Sequence, residues 1–170
     1  MCGACGTAAV TSAEDLLAGA GPAQRAARAA AAGRLLTGRP VRVSTWRGGY
    51  LVTAATGRAR VAADLDQLWD AAGLPRAAPG RACARAGWAW SARPAGWDLQ
   101  AAVVWLSAAV RRGDVIGSAL PDGPTDRIGV RAPDPGRALA GLLAFASGAD
   151  PACPPAPPSV ASDASGRNGA

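Results

Sequence analysis

The chain contains no histidine and no lysine, and Glu14 is its only glutamate. Those absences exclude a histidine general base, histidine metal ligands, a P-loop lysine and Schiff-base chemistry. Acid–base catalysis would have to rest on aspartate, cysteine or the single tyrosine, so the expectation is a protein that is not an enzyme. Large apolar side chains are also scarce, with one Phe, one Tyr, one Met and six Trp in 170 residues. Much of the 49% hydrophobic fraction is alanine, which buries little area, so the tryptophans weigh heavily in stability. The longest apolar-leaning run, residues 99–110, is too short to cross a bilayer and is followed by Arg111 and Arg112. No basic region with an apolar run follows Met1, so no Sec-type signal peptide is expected. A cytoplasmic protein with no membrane partner is the expectation. Its four cysteines, irregularly spaced, would then be reduced thiols or metal ligands.

What is present is arginine. All 18 basic residues are arginine, against 12 acids, for a net charge of +6. Arginine without lysine, amid abundant Ala, Gly and Pro, is also what a GC-rich bacterial genome encodes.

Read in order, the chain divides into five stretches. Residues 1–21 hold a cysteine turn and a short helix, opened by Thr11 and Ser12, each three residues before an acid. Residues 22–73 read as helix, β-hairpin, helix. Pro22 suits the first helical position, residues 23–36 have high helix propensity, and Gly38 suits the helix stop. Val41–Trp46 alternates as a strand, Arg47-Gly48-Gly49 supplies the turn, and residues 50–55 return. Residues 58–62 suit a short third strand. Asp64 suits an N-cap, with Leu65, Leu68, Trp69 and Ala72 on one helical face and Gly73 as the stop.

Residues 74–96, rich in Pro, Gly, Ala and Arg, read as a linker that packs back through Trp88 and Trp90. Residues 97–148 read as a second unit. Asp98 caps a helix over Leu99–Arg112, apolar over much of its girth and expected to be the best-buried helix. Strands are expected at 115–120 and 127–131, then a helix capped by Asp134 and starting at Pro135. At an offset of 75, Gly21, Gly38, Gly48 and Gly73 meet Gly96, Gly113, Gly123 and Gly148, which an internal duplication would produce. Residues 149–170 lack the apolar content for a core and are expected to be disordered. The fold class is α+β, with antiparallel strands covered by helices on one face.

Two sets of residues could carry function. Cys2-Gly3-Ala4-Cys5-Gly6 places two thiolates where both can point at one ion, and the glycine lets backbone N–H groups turn toward the sulfurs. The six residues Met1–Gly6 resemble one knuckle of a zinc ribbon, and the resemblance implies zinc on Cys2 and Cys5. No second Cys-x-x-Cys follows, which leaves Cys83 and Cys153, an aspartate or a second chain to complete the site. An exposed cysteine pair also suits thiol redox or redox sensing. The chain as a whole resembles small proteins of GC-rich bacteria that carry no known activity.

The second set is electrostatic. No acid lies between Asp15 and Asp64, while eight arginines do. Arg25, Arg28, Arg42, Trp46, Arg47 and Tyr50 combine charge with aromatic rings, as single-stranded nucleic-acid binding requires. The functional expectation is a small non-enzymatic binding protein, with a partner protein or a second copy of itself, and zinc on Cys2 and Cys5. Nucleic-acid binding and thiol redox stand as alternatives.

Overall fold

The computed structural model describes residues 12–78, 86–120 and 126–148. Helix α1 (Ala13–Ala18) starts at Ser12, whose side chain accepts from the Asp15 N–H. Helix α2 (Pro22–Leu35) starts with Pro22 in the first turn and ends before Leu36, with Gly38 at positive φ in the turn beyond. Strands β1 (Val41–Trp46), β2 (Gly49–Ala54) and β3 (Ala59–Ala62) form one antiparallel sheet in the order β1-β2-β3. The β1–β2 loop is Arg47-Gly48, both at positive φ, the geometry whose twist matches a tight hairpin. Helix α3 (Leu65–Ala71) follows, its first turn closed by Asp64 accepting from the Gln67 N–H.

The second half is built from strand β4 (Gly87–Ala92), helix α4 (Leu99–Arg112), strands β5 (Gly117–Ala119) and β6 (Arg127–Ala132), and helix α5 (Pro135–Ala146). Asp98 caps α4 at Gln100 and Ala101, Gly113 closes it in the left-handed conformation, and Asp134 caps α5. The sheet order is β4-β6-β5, again antiparallel.

The α+β class and the helices, hairpins and caps agree with the sequence reading, but β4 corrects it. Residues 87–92, inside the expected linker, are a full strand paired along its length with β6. Its alternation runs opposite to that of an ordinary half-buried strand. Small Ala89 packs toward the core, and the large rings of Trp88 and Trp90 face outward. The third strand therefore precedes the first helix in this half, whereas β3 follows the hairpin in the other.

Helix α4 is central. One core gathers α2, α3 and the inner face of the first sheet, through Tyr50, Val52, Leu68 and Trp69, and takes Ala101, Val103, Val104 and Ala108 from α4. The other gathers Ile128, Val130, Leu139 and Leu142 and takes Ala102, Leu106 and Ala109 from the same helix. With alanine on both surfaces, α4 lets its neighbours approach closely. Each sheet thus keeps one face on a core and one face open. No helix among the described residues is long and apolar enough to cross a membrane.

Candidate functional site

Cys2, Cys5, Cys83 and Cys153 all lie outside the described residues. Among the described residues, no three His, Cys, Asp or Glu side chains come together as a metal would need. Every aspartate there caps a helix or pairs with an arginine.

The six arginine and aromatic residues of the first half separate into two groups. Arg28 is 0% exposed and forms the hub of a buried network. Its guanidinium donates to Tyr50 Oη at 2.9 Å, Asp15 Oδ1 at 2.5 Å, the carbonyls of Gly19 and Glu14 at 3.0 and 3.2 Å, and Gln100 Oε1 at 3.2 Å. Arg25 pairs with the other Asp15 oxygen at 2.6 Å. Burial pushes the Asp15 carboxyl up, but the Arg25 hydrogen bond and the charges of Arg25 and Arg28 outweigh it and hold the group below its ordinary range. For Tyr50, burial dominates and raises the phenol despite the neighbouring Arg28.

Tyr50 points into the core because it pairs with Thr45, which places it on the valine face, opposite Trp46. Arg25, Arg28 and Tyr50 therefore hold α1, α2, β2 and α4 together; Arg28 and Tyr50 are buried, and the partly exposed Arg25 is paired with Asp15. Arg42, Trp46 and Arg47 remain outside. Trp46 is 45% exposed, with the Arg47 guanidinium 5.3 Å from its ring centre.

A second aromatic and basic surface lies on the other sheet, where the sequence reading placed no site. Trp88 and Trp90 sit two residues apart on edge strand β4, each 47% exposed. Their rings stack with centroids 5.1 Å apart and planes 13° from parallel. The pairing of β4 with β6 sets Trp88 opposite Arg131, Trp90 opposite Gly129 and Ala92 opposite Arg127. Trp90 lies across the strand where Gly129 leaves room, for a Cβ on that glycine would come within 2.5 Å of the ring. The Arg127 guanidinium stands 5.7 Å from the Trp90 ring centre, within cation–π range. Ile128 and Val130, on the opposite side of β6, are fully buried and anchor the strand from below.

The result is a rigid pleated surface carrying a stacked aromatic pair between two exposed arginines. The one signal for it in the sequence was Trp-Ala-Trp, two rings at strand spacing. Only the pairing with β6 adds the charges. No family model matches the chain, and no match is found among curated proteins or solved structures.

Proposed function

We propose that this chain is a non-enzymatic binding protein that takes single-stranded nucleic acid on the open face of its second sheet. The observation that carries the reading is the stacked, half-exposed Trp88–Trp90 pair, seated on Gly129 and flanked by Arg127 and Arg131. Unstacked bases pack on aromatic rings at about 1–3 kcal/mol per base, and guanidinium groups neutralise the phosphates beside them. A sheet favours single strands, because bases in a duplex are already stacked and its grooves do not admit a flat surface. The first sheet offers a lone exposed ring, Trp46, with Arg42 and Arg47, and so the weaker stacking surface. Net charge alone would give weak binding indifferent to strandedness, which is what the test must separate from stacking.

The test is fluorescence anisotropy with a labelled short oligothymidylate and with the matching duplex, across a salt series. Trp88→Ala and Trp90→Ala are each expected to weaken single-strand binding by about tenfold, in line with the loss of one stacked base. Arg131→Ala should weaken it and flatten the salt dependence by about 0.7 in log–log slope, as expected for one phosphate contact. Equal affinity for duplex and single strand, with both tryptophan variants unchanged, rejects the reading.

A further inference from the structure

On a different surface, α1, α3, α4 and the β5 edge enclose a groove of about 1080 Å³, at the upper end of the size of small-molecule sites. Its walls are mainly apolar, with Leu17, Leu106 and Val110 facing the groove and Leu65, Trp69 and Val103 buried behind them. Leu17 is 60% exposed and Val110 52%, unusual for large apolar side chains on a helical surface this short of them. Trp69 is fully buried behind the groove, with its indole N–H committed to Ser107 Oγ at 2.8 Å.

One charged group in this groove is incompletely satisfied. Glu14 is only 8% exposed and lines the groove. Its Oε1 accepts the Leu65 N–H at 2.8 Å. Among the described residues, Oε2 accepts from no donor, and no guanidinium lies within ion-pair distance of the carboxylate. The arginines at the groove, by contrast, are spoken for. Arg76 and Arg111 both pair with Asp66 and Asp70, and Arg112 pairs with Asp114 at 2.8 Å. Arg111 is further fixed by donating to the Leu74 carbonyl at 2.8 Å. Oε2 is thus left to accept from a donor that enters the groove.

We infer that this groove is a binding site for an organic ammonium ion with an apolar body. The ammonium donates to Glu14 Oε2, and the hydrocarbon or ring portion covers Leu17, Leu106 and Val110. An anion is disfavoured because the arginines at the rim are all paired among the described residues and the groove carries a carboxylate. A neutral apolar molecule would fill the walls but leave Glu14 unanswered. The site is independent of the sheet surface proposed for nucleic acid.

The test is calorimetric titration of the full chain with n-octylammonium, 1-octanol and octanoate, three probes sharing one tail. Octylammonium is expected to bind one per chain, about tenfold or more tighter than octanol, with octanoate weakest, as a charge-assisted hydrogen bond predicts. Glu14→Gln keeps an acceptor for the Leu65 N–H and should reduce octylammonium to the affinity of octanol. Val110→Ser should weaken both probes alike. The ratio of amine to alcohol in the unmodified chain decides the matter even if Glu14→Gln folds poorly. Equal binding of the three probes, or no binding of octylammonium because another part of the chain fills the groove, overturns the inference.

Discussion

Arg28 shows how far a residue's role can lie from its type. An arginine on an alanine-rich helix in a basic chain reads as surface charge, yet it is fully buried and donates to two side-chain acceptors on α1 and β2, two carbonyls and Gln100. Such a charge is tolerated only because its donors are answered, and removing its carboxylate partner typically costs about 3–5 kcal/mol. Asp15 is that partner, and its depressed pKa fixes the sign of a pH effect. A carboxyl held lower in the folded chain than in the unfolded one adds stability that is complete above its ordinary value of 3.8. That stability is lost as pH falls through the lower folded value. Asp15→Asn should therefore be less stable than the unmodified chain near neutral pH, with a gap that stays constant down to the ordinary carboxylate range and closes below it. Urea denaturation at a series of pH values measures this. A gap that closes instead as pH rises contradicts the assignment. Neither Arg28 nor Glu14 could be placed inside from sequence, because burial of a charge depends on acceptors up to 72 positions away.

At the scale of the element, local chemistry explains most of what formed. Ser12, Asp64, Asp98 and Asp134 each accept from a backbone N–H in the first turn, as N-caps should. Val41–Trp46 and Leu99–Arg112 span the residues read from the sequence. Strand β4 is the exception, and its reason is physical. A half-buried strand is recognised by large apolar residues on the inner face, and in Gly87–Ala92 they lie on the outer one. What holds it is the backbone ladder to β6 and the seat that Gly129 leaves for Trp90. Gly129→Ala should push the half-exposed Trp90 ring off the sheet and cost about 0.5–1.5 kcal/mol as the aromatic pair is broken. Near-ultraviolet circular dichroism should lose the coupled signal of the Trp88–Trp90 pair. An unchanged spectrum and melting point would show that the ring does not rest there.

At the scale of the molecule, the two halves are not independent. Phe145 belongs to α5, whose other buried residues face the second core, yet it packs in the first. The Arg34 guanidinium of α2 lies 4.8 Å from its ring centre. Trp69 of α3 donates to Ser107 of α4, and Gln100 of α4 donates to the Ala18 carbonyl of α1. Phe145→Ala is accordingly expected to cost about 3–5 kcal/mol and to lower the stability of both halves together. A single unfolding transition, shifted equally when followed by tryptophan fluorescence and by far-ultraviolet circular dichroism, is the expected result. Two separated transitions, with only one shifted, would show two autonomous units.

The amino-acid sequence by itself determined the fold class, the helices with their caps, the first hairpin and the prominence of α4, because each rests on interactions within a few residues. It also bounded the chemistry through the missing histidine and lysine. The tertiary structure decided which way each strand faces, and hence that Tyr50 is a core residue while Trp88 and Trp90 form an outer surface with Arg127 and Arg131. It also decided which charges are spent on folding and which remain. Facing and charge pairing are set by contacts between distant segments, and a one-residue change of strand register would reverse them.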